Sequence, residues 1–240
     1  MNKAADSRPA LAMQGFRASW PLMLGYIPLG LVFGASCAQH GLSALGAGLM
    51  AGVNYAGGSE FAAISLWSAA PPIAAIALAT LMINARHVMY SAALTPYVGR
   101  LTLLQKLAVF ALMSDECWAV AMRTIAERRR AGASDADALQ LFFYLGLGVP
   151  LWFAWWSSAF AGAALSSGLG DLTSWGFGMA FPATFIAILA SMWPGARHCV
   201  PWVLSFAAAG VLSLFISSPW AIAAGAALGL LWTWFFEKGD

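Results

Sequence analysis

Hydrophobic positions run along the chain in long blocks, separated by short polar stretches. A helix needs about 20 apolar residues to cross the hydrocarbon core of a bilayer. Blocks of that size fall at roughly 17–37, 44–68, 73–96, 103–125, 139–163, 173–193, 199–217 and 219–236. The pattern predicts an all-α integral membrane protein with seven or eight hydrophobic segments. The last two are joined by Ser217-Ser218-Pro219, so seven full spans and a broken one also fit. Segment 44–68 carries Gly46, Gly48, Gly52, Asn54, Gly57, Gly58, Ser59 and Glu60 and reads as a discontinuous helix. Pro28, Pro150 and Pro182 predict kinks or breaks.

Composition narrows the class. Of 240 residues, 61% are hydrophobic and 9% charged, against about 25% charged in a soluble domain. Soluble enzymes, nucleic-acid binders and disordered chains are excluded. Residues 1–15 read as a short cytosolic tail without a signal peptide, and 16–236 as a single transmembrane domain. Three scattered cysteines and three histidines offer no conventional metal or haem constellation, and no cofactor is expected. No nucleotide-binding motif is present, which argues against ATP hydrolysis as the energy source.

Orientation follows Lys and Arg. With eight spans, Lys3, Arg8, Arg17, Arg123, Arg128, Arg129, Arg130, Arg197 and Lys238 lie on one side and Arg100 and Lys106 on the other. That asymmetry predicts a cytosolic N-terminus and a multi-pass protein of the bacterial cytoplasmic (inner) membrane.

A faint internal similarity points to two pseudo-repeats. Gly25-Tyr26-Ile27-Pro28 recurs as Gly146-Leu147-Gly148-Val149-Pro150. A Gly-Leu turn follows each (Gly41-Leu42, Gly168-Leu169), then a segment running from Phe61 to Trp67 or from Phe185 to Trp193. Many secondary transporters are built from internal repeats.

Charges inside apolar blocks mark partners or wet cavities. Four lie there: Glu60, Arg86, Asp115 and Glu116. Thr80, Asn84, His87, Ser91 and Thr95 fall on one helical stripe, with Arg86 and Tyr90 beside it. Such a stripe either holds helices together or lines a solute path. Asp115 and Glu116 point about 100° apart, so one is expected to neutralise Arg86 and the other to remain available to a cation or proton. At Asn54–Phe61, Gly57-Gly58 can unwind the helix and aim its positive end at an anion; close packing of small residues explains the same glycines. A zwitterion needs an anion binder and a cation binder close together. Arg86 or the Gly57-Gly58 backbone supplies the first, and Asp115, Glu116 or Glu60 the second. That supply favours an amino acid over a channel or small-ion carrier. Glu60 and His87 are the candidate proton carriers.

The motifs, taken in order, resemble a known family. They are Pro21–Gly30 with Phe33-Gly34, Ala56-Gly57-Gly58-Ser59-Glu60-Phe61, Ile83-Asn84-Ala85-Arg86-His87-Val88-Met89-Tyr90-Ser91, Ser114-Asp115-Glu116 and Phe181-Pro182-Ala183-Thr184-Phe185. The chain is similar to the AzlC family, the large subunit of a branched-chain amino-acid exporter, from about Gly15 to Trp234. The resemblance implies a non-enzymatic exporter of leucine, isoleucine, valine and related amino acids, driven by the proton gradient and working with a small AzlD-type membrane subunit. Where this chain has Glu60 the family often carries Gln, a difference bearing on coupling or substrate. One enzyme alternative exists: Gly168-Leu169-Gly170-Asp171 matches the GxGD pattern of intramembrane aspartyl proteases, with Asp115 as second carboxylate. It falls in a loop, where such an aspartate cannot work at membrane depth.

Overall fold

The computed structural model describes residues 7–169, 199–216 and 218–236. The chain divides into two compact units, Met1–Phe181 and Pro182–Asp240. Segment 173–193, Pro182, the Phe181–Phe185 block, Asp171 and Arg197 lie outside the described residues. Every regular element among those described is helical, as the hydrophobic blocks require.

In the first unit two long helices form the spine, α1 (Arg8–Gln39) and α9 (Leu141–Leu169). Gly15 packs on Phe143 and Leu147, Gly30 on Trp155 and Ser158, and Gly34 on Ala159 and Ala163; Gly146 packs on Ala12 and Gly162 on Leu31. Residue numbers rise together on both helices, so the two run parallel. Glycines on each side let backbone meet backbone, the contact that small residues permit in a membrane. Pro21, Pro28 and Pro150 lie within continuous helices, so of the expected kinks or breaks no break occurs at Pro28 or Pro150. Gly168-Leu169 is likewise helical rather than a turn, whereas Gly41 does turn the chain, at φ 84°.

Segment 44–68 is discontinuous, as its glycines predict. Helix α2 (Ala44–Asn54) starts at Ser43, whose side chain accepts the Gly46 N–H, and α3 (Gly57–Ser65) follows a break at Tyr55. Tyr55 adopts left-handed backbone, φ 45° and ψ 46°, which costs a non-glycine residue about 1–2 kcal/mol. Gly48 and Gly52 pack on Phe160, Trp156 and Trp152, so α2 descends along α9. Past the break, α3 turns back. Phe61 packs on Phe33, and Ile64 and Trp67 belong to the same apolar cluster as Cys37, Leu42, Ala44 and Ala47, beside the end of α1. Helices of 11 and 9 residues reach only about half of a bilayer core.

The next block is long enough to cross. Helices α4 (Ile73–Asn84) and α5 (Arg86–Leu94) run on through a short 3-10 turn (Thr95–Tyr97) as one 25-residue apolar rod. Block 103–125 is not one rod but a helical hairpin. Helix α6 (Leu103–Ala111) opens on a Thr102/Gln105 capping box, and α7 (Asp115–Arg130) opens on Ser114, whose hydroxyl accepts the Cys117 N–H. Before α6, Arg100 pairs with Asp137 at 2.6 Å; in the last turn of α7, Arg128 donates to the Asp137 carbonyl at 3.3 Å. Both feet of this hairpin therefore stand beside α8 (Asp135–Ala138) and the start of α9. Arg100 and Lys106 thus share an end with Arg128–Arg130, correcting the eight-span placement.

Among its described residues the first unit thus has three rods long and apolar enough to cross a membrane, α1, α4–α5 and α9. Two half-depth hairpins, α2–α3 and α6–α7, enter from opposite ends. The second unit contains α10 (Val200–Leu212) and α11 (Ser218–Phe236). Gly225 packs on Ser205 and Ala209, and Gly229 on Pro201 and Ser205, so this pair is antiparallel.

Candidate functional site

The two hairpin tips, at Asn54-Tyr55 and at Ser114, converge on the middle rod beside its one-residue irregularity at Ala85. The Asn84 amide reaches Asn54 Oδ1 at 3.5 Å, and Arg86 pairs with Asp115 at 2.8 Å. The middle rod therefore touches both tips. Broken helices expose backbone and polar side chains at depth, which a membrane tolerates only inside protein or at a wet cavity.

Two polar groups form here. The first surrounds Glu60, which is fully buried. Its Oε1 accepts the Ala56 N–H at 3.0 Å and the Asn54 amide at 3.5 Å; its Oε2 accepts the Trp155 indole N–H at 2.8 Å. Asn54 also donates to Ser59 Oγ at 2.9 Å. Among the described residues every hydrogen-bond partner of the Glu60 carboxyl is an N–H donor, and the residue sits in the first turn of α3, where negative charge is favoured. The positive end of α3, expected at Gly57-Gly58 for a bound anion, thus faces the chain's own carboxylate. Gly57 has a packing role too, because a Cβ there would press on the Trp155 ring at 3.2 Å.

The second group lies on α5 and α7. Asp115 is the carboxylate that neutralises Arg86, and their side chains keep 18% and 27% exposure. Glu116 points elsewhere, as the 100° spacing demands, and accepts the Tyr26 hydroxyl at 2.6 Å. Tyr26 also lies 3.1 Å from Ser114 Oγ, tying the lower tip to α1. One turn along, Tyr90 stacks on Trp118 at 4.5 Å between ring centroids. His87 meets Tyr90 edge-on, and its Nδ1 lies 3.3 Å from the Asn84 carbonyl. A carbonyl only accepts, so Nδ1 carries a proton in this contact.

The groups are connected: Glu60, Asn54, Asn84 and His87 form a chain of polar contacts between 3.3 and 3.5 Å. Of the polar stripe, Asn84 and His87 belong to the site, whereas Thr95 is exposed and bonds back to the Ser91 carbonyl. Buried atoms without a partner among the described residues include Arg86 Nε, Asp115 Oδ1, Asn84 Oδ1 and Trp118 Nε1. The sequence reading missed Tyr26, Ser114, Trp118 and Trp155 as site residues. Trp118 was reachable, three residues after Asp115 on one helix; nothing in the sequence pairs Trp155 with Glu60, 95 positions away. Chemically, the junction offers a guanidinium, a carboxylate with one unengaged oxygen and a second, enclosed carboxylate. No cluster of three metal-ligating side chains occurs among the described residues.

The chain is 29% identical over 228 residues to the inner membrane protein YgaZ of Escherichia coli K12, covering 92% of this chain and 89% of that one. It is 29% identical over 150 residues to an uncharacterized membrane protein of Archaeoglobus fulgidus, covering 62% and 60%. A shorter match, 32% over 83 residues, links it to a membrane protein of Helicobacter pylori J99, over 33% and 36%. No solved structure matches. A family model described as AzlC protein matches residues 21–169, more than half of the chain and the stretch holding both hairpins. The chain belongs to the AzlC family of membrane proteins.

Proposed function

We propose that the protein exports branched-chain and related apolar amino acids across the bacterial cytoplasmic membrane, coupled to protons and together with a small AzlD-type subunit. The observation that carries this reading is the Arg86–Asp115 pair. It is a matched cation and anion at the junction of two half-depth hairpins, partly exposed, with Arg86 Nε and Asp115 Oδ1 unengaged. A charge pair at that depth is costly unless it serves a partner or a wet cavity, and an amino-acid head group carries the same two charges.

The distribution of basic residues supports an N-in orientation. Arg8, Arg17, Arg100, Lys106, Arg123, Arg128, Arg129 and Arg130 all belong to the end where α1 and α9 begin. The connections at the other end, 40–43 and 66–72, contain no Lys or Arg. Lysine and arginine favour the cytosolic side. Proton coupling is assigned to Glu60 and His87, the ends of the Asn54–Asn84 chain. Glu60 is held by Ala56, Asn54 and Trp155 and His87 by the Asn84 carbonyl, so a proton there and a substrate at Arg86–Asp115 occupy separate places.

Efflux of labelled leucine from proteoliposomes, with and without the small subunit, tests the reading. Saturable efflux with both chains, accelerated by an inward proton gradient and absent from the single chain, is the expected result. Gradient-independent efflux overturns the coupling, and full efflux by the single chain overturns the need for a partner.

A further inference from the structure

The facing sides of α5 and α7 are joined by two rungs. One is the Arg86–Asp115 ion pair; the other is the Tyr90–Trp118 ring stack. Arg86 and Tyr90 are four residues apart on one helix, and Asp115 and Trp118 three apart on the other, so both rungs lie on one shared face. Three buried polar atoms on these rungs have no partner among the described residues: Arg86 Nε, Asp115 Oδ1 and Trp118 Nε1. Buried polar atoms are nearly always satisfied, and a group of them left open on one face marks a place that water or a ligand fills. Their chemistry is asymmetric. Two are N–H donors and one is a carboxylate acceptor. An α-carboxylate needs the first kind and an α-ammonium the second. Glu60 lacks this openness, since both its oxygens are engaged and it is fully buried.

We propose that this two-rung face is the head-group site for a free zwitterionic α-amino acid. Arg86 Nε–H and Trp118 Nε1–H donate to its carboxylate, and Asp115 Oδ1 accepts from its ammonium. The proposal rests on the amino-acid reading of the junction and adds Trp118 as a substrate contact. Tyr90 holds the indole in place by stacking and turns its hydroxyl to the Asp115 carboxylate, which makes it a positioning residue for both rungs. The site rejects analogues lacking either charge, because a buried donor or acceptor is then left unpaired.

The test is equilibrium binding to the purified full chain with its small subunit, using labelled leucine, with leucinamide and 4-methylpentanoate as competitors. Unmodified protein should bind leucine and favour it at least about tenfold over both analogues. Trp118→Phe keeps the stack but removes the N–H, and should weaken leucine binding about tenfold, the loss of one hydrogen bond to a charged group. It should leave binding of leucinamide, which has no carboxylate, unchanged. Trp118→His, which retains a ring N–H, should recover part of the loss. Equal leucine affinity in Trp118→Phe and unmodified protein overturns the assignment of Trp118. Equal binding of leucine and 4-methylpentanoate overturns the zwitterion site even if Trp118→Phe does not fold. Absence of leucine binding to unmodified protein overturns the amino-acid reading itself, and this inference with it.

Discussion

Trp155 and Glu60, 95 residues apart, are joined by one hydrogen bond of 2.8 Å from the indole N–H to Oε2. Both residues are buried. Trp155 belongs to the spine helix α9 and Glu60 to the returning arm of the upper hairpin, so this bond fastens a half-depth element to a rigid one. The Trp155 ring also stacks on Phe33 at 5.8 Å and meets Tyr26 edge-on at 5.9 Å, which fixes the indole direction.

Trp155→Phe leaves one Glu60 oxygen buried without its donor. Hydrogen bonds to charged groups contribute about 1.5–3 kcal/mol, so thermal stability of the detergent-solubilised protein should fall by an amount in that range. An unchanged unfolding temperature contradicts the fastening role.

Gly34→Ala tests the spine. A Cβ there collides with the Ala159 carbonyl oxygen, a backbone atom that cannot rotate away. Overpacking costs about 1–3 kcal/mol where side chains can adjust, and more is expected here. Gly25→Ala is the control, because nothing lies within 4 Å of its Cβ position; replacing a helical glycine there should be neutral or stabilising by up to about 1 kcal/mol. Yield and thermal stability of the two variants should separate clearly, and equal behaviour contradicts the close parallel packing.

Arg86 and Asp115 should behave as an energetic unit. Removing either partner strands a charge, at a cost of up to about 3–5 kcal/mol for a fully buried pair and less for this partly exposed one. Arg86→Met combined with Asp115→Leu should fold better than the more damaging single change. Additive losses in a double-mutant cycle of stability contradict the pairing.

At the basic end, the Asp137 carboxyl is held below its ordinary range, chiefly by the hydrogen bond from Ser134 and then by Arg100. A carboxylate whose folded value is depressed contributes stability above the ordinary value near 3.8, and loses it as pH falls through the lower folded value. Hydrogen-exchange protection of residues 131–139, corrected for intrinsic rates, should therefore hold at neutral and mildly acidic pH and drop below the ordinary carboxylate range. Asp137→Asn should lower protection at neutral pH and flatten the acid dependence; a profile identical to that of unmodified protein contradicts the clasp.

The sequence made some of this legible for definite reasons. Buried charge must find a partner in lipid, so Arg86 with a carboxylate of the Ser114-Asp115-Glu116 run could be named before any coordinates, as could the break among the glycines near Asn54. Block 103–125 was misread as a crossing because hydropathy measures apolar length, not direction. Its reversal sits at Leu112–Ser114, where a single N-cap serine is the only local signal. Trp155 was invisible because its role depends on a partner from another helix, and Pro28 and Pro150 do not break their helices because long membrane helices accommodate proline.

Labelling of single cysteines in intact cells by a membrane-impermeant thiol reagent tests the opposed hairpins most directly. In a background with Cys37, Cys117 and Cys199 replaced by alanine, the sites are His40→Cys, Ala69→Cys, Gly99→Cys and Ala131→Cys, all exposed positions in connecting segments. Two half-depth hairpins predict that His40→Cys and Ala69→Cys label alike from outside, while Gly99→Cys and Ala131→Cys label only after the membrane is opened. Labelling of His40→Cys and Gly99→Cys from outside, with Ala69→Cys and Ala131→Cys protected, is the pattern of continuous crossings and would contradict the fold on which the site depends.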